Sequence, residues 1–190
     1  MNHILIFPRS ACQSLLVAPH VPWSPVELPL HWLQRAEVEE DPAWLQPIPY
    51  AVLIDVRDRP WAYRRCGGDH RLLDRRSIGV GGHVDRADDR GALLPTLRAA
   101  LLRELDEELI GFPRQLANAA PPIAWINEQD SAIGRVHLGL VFAIPWLLDQ
   151  PPRPRRGEAL EGLGFVEQAA VTEAAGYERW SLLAARSLRP

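Results

Sequence analysis

Leu94, Leu97, Leu101, Leu105 and Leu109 recur every three or four residues, and no other feature of the chain constrains its fold as strongly. That period puts all five on one side of an α-helix, so Leu93 to Leu109 must lay an apolar stripe against a core. Asp88 or Asp89 can cap its start, and Gly111 with Pro113 ends it. Pro95 then falls in the first turn, where a missing N–H costs little. The last turns of this helix carry Arg103-Glu104-Leu105-Asp106-Glu107-Glu108. Glu104, Glu107 and Glu108 stand at i, i+3 and i+4, which stacks them along one face with Cβ atoms roughly 5–6 Å apart. Three like charges so close repel unless something compensates them. A divalent cation does so, since hard oxygen ligands suit Mg²⁺ or Mn²⁺. A solvated acidic face with intrahelical pairs such as Arg103 to Glu107 does so too, and the run taken alone fits that reading better.

The length of 190 residues, 47% of them hydrophobic, suffices for one well-buried core. A formal charge of -3 leaves no electrostatic footprint for a nucleic-acid polymer. All 21 basic residues are arginine, a bias that reads as coding composition before function. Cys12 and Cys66 form no metal-type spacing, and nothing suggests a disulfide-stapled secreted chain. Met1 to Arg9 is apolar over too few residues for a signal peptide, and no run approaches the ~20 residues of a membrane span. A soluble cytoplasmic protein with no membrane partner is the expectation.

Residues 1–46 are rich in proline and carry Trp23, Trp32 and Trp44. They read as an N-terminal extension packed on a main domain of residues 47–190, because a free linker would not carry three tryptophans. Within it, His3 to Phe7 is an expected strand and Leu30 to Glu39 a short helix. Tyr50 to Val56 is a run of β-formers, with Trp61 to Cys66 as its expected hairpin partner and Gly67-Gly68-Asp69 as a turn. Further strands are expected at Ile123 to Asn127, Val136 to Ile144 and Gly164 to Val166, and a last helix at Thr172 to Leu188. Strands interleaved with helices indicate an α/β or α+β sandwich.

With Gly81-Gly82 ahead of the helix, the run Arg103-Glu104-Leu105-x-Glu107-Glu108 resembles the Nudix box, G-x5-E-x7-R-E-U-x-E-E-x-G-U with U apolar. The segments Ser77 to Val84, Glu39 to Pro42, Ile48 to Tyr50 and Gly134 to Leu140 are similar to a bacterial subgroup described as predicted MutT-type phosphoesterases. The resemblance implies an α/β fold, a Nudix-type α/β/α sandwich with a mixed central sheet. It also implies Mg²⁺- or Mn²⁺-dependent hydrolysis of a phosphoanhydride bond in a nucleoside diphosphate derivative or related small molecule. On this reading the Gly81 carbonyl, Glu104, Glu107 and Glu108 hold the cation, Arg103 orients Glu104, and Glu104 is a candidate base. Glu158 and Glu161, ahead of the last strand, are alternative candidates for the base. His83 and the arginines around the glycine turn (Arg64, Arg65, Arg71, Arg75 and Arg76) are candidate substrate contacts, Arg65 and Arg76 foremost. His137 reads as structural, and Trp61, Trp125 and Trp146 as core. A homodimer is expected, with the Trp-rich extension as candidate interface.

Two departures from the pattern stand out. From Gly82 to Arg103 is 21 positions (103 − 82), against fourteen in the pattern, so about seven residues are inserted, within Asp85 to Leu94. The mid-loop acid therefore has three candidates: Asp85, Asp88 and Asp89. Ile110 stands where a glycine is usual, with Gly111 one place later. Two alternatives share the fold. One is a non-catalytic nucleotide-binding or regulatory domain, whose mark would be a lost box glutamate, and none is lost. The other is an isopentenyl-diphosphate isomerase-like enzyme, which needs a cysteine that the glycine turn lacks.

Overall fold

The computed structural model describes residues 3–67 and 72–188. The turn expected at Gly68-Asp69 and the candidate contact Arg71 lie outside them. In chain order the strands are β1 (His3–Pro8), β2 (His20–Pro22), β3 (His31–Gln34), β4 (Trp44–Ile54), β5 (Trp61–Arg65), β6 (Arg76–Ser77), β7 (Gly79–Val80), β8 (Leu109–Ile110), β9 (Pro122–Ile126), β10 (His137–Pro145), β11 (Arg153–Pro154) and β12 (Leu160–Phe165). The helices are α1 (Arg35–Val38), α2 (Leu93–Glu108), α3 (Arg114–Ala119), α4 (Ala132–Val136) and α5 (Arg179–Ser187).

The main sheet runs β2-β9-β10-β4-β1-β3, with β7 also on β4; a second sheet has the order β12-β5-β6. Strand β4 organises the whole. One edge pairs with β10 in parallel without a break, from Gln46↔His137 to Ile54↔Pro145. The other edge is shared: Trp44 and Leu45 pair with β1, and Ala51 and Val52 with β7. Pro47 and Pro49 lie between those two ladders. Alternate residues of a strand point their N–H groups to the same side, so the two prolines remove donors from a single edge. That edge is the interrupted one. Gly81 fits into the gap, where a Cβ would lie 2.1 Å from the carbonyl oxygen of Pro49.

The two faces of β4 follow its period of two. Leu45, Ala51 and Leu53 join Leu138, Leu140, Phe142 and Ile144 of β10 in the core under α2. Tyr50 and Val52 join Val141 of β10 on the face covered by Leu183, Ala184 and Ala185 of α5. Leu97, Ala100, Leu101 and Leu105 of α2 are fully buried, as the leucine stripe requires. The result is a helix layer on each side of a mixed sheet: the expected α/β/α sandwich.

Several expected elements differ in detail. Residues 31–34 pair with β1 rather than forming a helix, which starts only at Arg35. Strand β5 does not make a hairpin ladder with β4, which takes β10 as its neighbour; an isolated Ile54↔Pro60 bridge joins the end of β4 to the residue ahead of β5. The last helix starts at Arg179, after turns through 172–178. The N-terminal residues are also more than an appendage: β1 lies between β4 and β3, β2 pairs with β9, and position 46 falls inside β4. Trp23 packs on the buried Trp125, with ring centroids 5.7 Å apart. Trp61, Trp125 and Trp146 are core residues, as expected. Cys12 is buried, Cys66 is exposed, and both are free.

Replacing Leu101 by Ala should lower the unfolding free energy by about 2–5 kcal/mol in urea titration, since its side chain is fully buried between α2 and the sheet.

Candidate active site

The acidic end of α2 is fastened to the glycine turn by one side chain. Arg103 donates to the His83 carbonyl (2.7 Å), to Asp88 Oδ2 (2.9 Å), to Glu104 Oε1 (2.7 Å) and to Glu107 Oε2 (3.1 Å). It thus bonds three carboxylates, Glu104 among them, rather than one. Burial would favour the neutral guanidine, yet bonding to Asp88 and the charge of Glu104 hold Arg103 firmly protonated.

Of the three candidate mid-loop acids, Asp88 is the one this arginine selects. It is buried, it accepts from the Asp85 backbone N–H, and its distance from Gly82 matches the G-x5-E of the box. Asp88 is thus occupied by Arg103 and does not cap α2, whose preceding residue is Ala92 with no side-chain cap. The inserted residues fall wholly between Asp88 and Arg103. They lengthen the N-terminal end of α2, away from the glutamates, and residues 85–95 do not line the neighbouring cavity.

Gly82 meets the helix directly: a Cβ there would sit 2.5 Å from the Glu104 carboxylate. The glycine pair therefore serves two close approaches, Gly81 to the β4 backbone and Gly82 to Glu104. Glu104 is mostly buried (its side chain is 14% exposed), and burial raises its pKa, with Arg103 opposing. Glu107 is half exposed at 55%. Glu108 carries the sharpest signal. Its Oε2 is buried with no hydrogen-bond partner, and burial, opposed by Arg65 and reinforced by Glu104, pushes its pKa up to about 7. An acidic oxygen with nothing to satisfy it is the chemistry of a cation ligand. In the geometry shown Glu107 turns to Arg103, and among the described residues no three His, Cys, Asp or Glu side chains converge as a ready-made cage.

Beside the glycine turn lies a cavity of about 600 Å³. Gly81, Gly82, His83 and Arg65 line it; Arg76 does not, and Arg64 is absent from its walls as well. Arg76 is exposed on β6, where its backbone pairs with Arg64 and Glu178. Arg65 lies over the Tyr63 ring (5.5 Å to the centroid) and 3.5 Å from the Glu178 carboxylate. Glu178 in turn accepts from Ser77 Oγ (2.6 Å) and the Tyr50 hydroxyl (3.0 Å). Of the late acids, Glu158 acts electrostatically on Glu108, whereas Glu161 lies within β12 rather than a loop and is ion-paired to Arg64.

Several lining residues escape a reading of the sequence. Glu178, Trp180 and the turn Glu128 to His137 form walls of the cavity. His137, read as structural, faces His83 with Nε2 atoms 3.2 Å apart. Burial, and then His137, lowers the His83 pKa to about 3, so this imidazole is neutral.

No family model matches the chain. It is 33% identical over 121 residues to Protein YmaB of Bacillus subtilis (strain 168). That match covers 63% of this chain, and the chain spans only 58% of the length of that relative. Among solved structures, Tm1382, described as a candidate Nudix hydrolase, superimposes with a TM-score of 0.73 at 20% identity, covering 98% of this chain and 97% of the other. The bifunctional NMN adenylyltransferase/ADP ribose pyrophosphatase of Francisella tularensis, complexed with AMP and a Mn ion, gives a TM-score of 0.55 at 16% identity over 76% of this chain and 41% of its own. The chain therefore has the fold of the Nudix hydrolases.

The two glycines should respond differently to a methyl group. Gly81→Ala meets fixed backbone and should cost about 1–3 kcal/mol or more, whereas Gly82→Ala meets the Glu104 carboxylate, which can yield only by loosening its bond to Arg103, and should cost less. Thermal unfolding of both variants checks this ordering.

Proposed function

We propose that this chain is a divalent-cation-dependent hydrolase of the Nudix type, cleaving a phosphoanhydride bond in a nucleoside diphosphate derivative or similar small molecule. The observation that carries the reading is the buried, partnerless Glu108 Oε2 beside Glu104, on a helix end locked to the glycine turn. The fold comparisons support it, as does the Mn ion and AMP in the Francisella enzyme.

Glu104, Glu107, Glu108 and the Gly81 carbonyl supply oxygen donors that fit Mg²⁺ or Mn²⁺. Such an ion, when bound, neutralises diphosphate charge and acidifies a bound water. Arg103 holds Glu104 in place and sets how far Glu107 can swing. Arg65 presents a guanidinium to the cavity, where an anionic phosphoryl group can pair with it. Glu104 is the candidate base; Glu158, in electrostatic reach of Glu108, is the better placed of the two late acids. His83 and Arg65, which line the cavity, are the candidate substrate contacts, and Arg76 lies outside its walls.

We read the protein further as cytoplasmic and homodimeric. Among the described residues no helix is long and apolar enough to cross a membrane. Light scattering that returns a monomer sinks the dimer.

The test of the function is release of phosphate or AMP from a panel of nucleotide sugars, dinucleoside polyphosphates, ADP-ribose, NADH and oxidised nucleotides, with Mg²⁺ or Mn²⁺. Glu107→Gln should keep the unfolding midpoint and reduce turnover on the order of 100-fold or more, the loss of a few kcal/mol of transition-state stabilisation. Wild-type rates in a folded Glu107→Gln protein overturn the assignment.

A further inference from the structure

Arg65 faces the cavity without being tied down by a hydrogen bond at its Nε. That atom is buried and donates to nothing, the Cζ lies 5.5 Å over the centroid of the Tyr63 ring, and Glu178 Oε2 stands 3.5 Å from the Nε. Glu178 thus holds the guanidinium by charge. We propose that Glu178 is a positioning residue, keeping Arg65 turned to the cavity where its terminal N–H groups meet a phosphoryl oxygen of the substrate. The proposal rests on the hydrolase reading for the chemistry of that ligand, a diphosphate.

Glu178 can steer Arg65 because its own carboxylate is fixed by other groups. Oε1 accepts from Ser77 Oγ (2.6 Å) and from the Tyr50 hydroxyl (3.0 Å), which leaves Oε2 for Arg65. The Tyr50 ring is seated against Gly79, where a Cβ would lie 2.0 Å from it, and its hydroxyl is 3.2 Å from Ser181 Oγ. Ser181 Oγ accepts from the Ile78 N–H (3.0 Å), and the Glu178 N–H donates to the Arg76 carbonyl (2.9 Å). Glu178 is therefore pinned at both main chain and carboxylate where α5 begins, and it is only 8% exposed. A buried carboxylate bonded to neutral hydroxyls still needs a cation, and Arg65 is in ion-pair reach.

A second carboxylate competes for the same guanidinium. The charge of Arg65 also acts on Glu108, whose Oε2 has no hydrogen-bond partner. Released from Glu178, the guanidinium would turn to that oxygen and occupy the acid that a cation needs. The face of Tyr63 supports the guanidinium from one side but does not fix its direction within the plane. Glu178 keeps both groups open: Arg65 for an anion, Glu108 for a cation.

The sign of one measurement separates this role from plain electrostatics. Glu178 also lines the cavity, so its charge by itself repels an anion, and removing that charge should tighten anion binding. Positioning requires the opposite. Methylenediphosphonate, a diphosphate mimic that resists hydrolysis, is titrated calorimetrically into the whole chain in Mg²⁺ buffer. Glu178→Gln retains an acceptor for Ser77 and Tyr50, so it should keep the fold and bind the probe roughly 10-fold more weakly. In an Arg65→Gln background the same change should cause no further loss, because its effect passes through Arg65. Ser77→Ala alters neither charge nor the cavity wall; it should weaken the probe in the same direction by less, and it decides the matter if Glu178→Gln does not fold.

Unchanged or tighter binding in Glu178→Gln or Ser77→Ala, an equal loss in the Arg65→Gln background, or no binding by the wild type overturns the proposal. Calorimetry needs no turnover, so the two readings fail separately. A chain that binds in this pattern and hydrolyses nothing loses the hydrolase assignment alone. One that hydrolyses its substrate, with Glu178→Gln at wild-type affinity for the probe, loses the positioning role alone.

Discussion

One edge of strand β4 governs the molecule. Pro47 and Pro49 withhold hydrogen-bond donors from it, so β1 and β7 can each take only an end, and the space between them admits the glycine turn. The opposite edge, paired with β10 throughout, keeps the strand straight and central. From that arrangement the rest follows: Gly81 seats against Pro49, and Gly82 receives Glu104. A proline pair that looks like a defect in a buried strand is what makes room for the site.

The acidic cluster shows how electrostatics and covalent order cooperate. Four carboxylates within a few ångströms would be unstable alone. Arg103 bonds three of them while clasping the glycine turn, leaving Glu108 with an oxygen that no hydrogen bond satisfies. One guanidinium against four carboxylates leaves the cluster net negative, and burial disfavours that charge at Glu108 in particular. That is the electrostatic condition under which a cation binds at a defined place instead of hovering over a diffuse surface.

Much of this was legible in the chain itself. The leucine period located α2 to within a residue. What local pattern could not show was pairing across distance. Strand β3 was mistaken for helix because Leu30 to Glu39 contains good helix formers, while its actual partner, β1, is almost thirty residues earlier. The role of Asp88 became visible only when Arg103 was seen beside it. Glu178 was hidden for a related reason: its partners, Tyr50, Ser77 and Arg65, come from three other elements.

Asp88 and Arg103 are joined by charge rather than by sequence proximity, so the number of residues between them can depart from the pattern. The pattern has seven there; this chain has about twice as many. Most of that segment is helix α2 rather than flexible loop, so its length must keep Arg103 on the face that meets Asp88. In this chain the segment is longer than the pattern, and the Asp88–Arg103 pair still frames the carboxylates beside it.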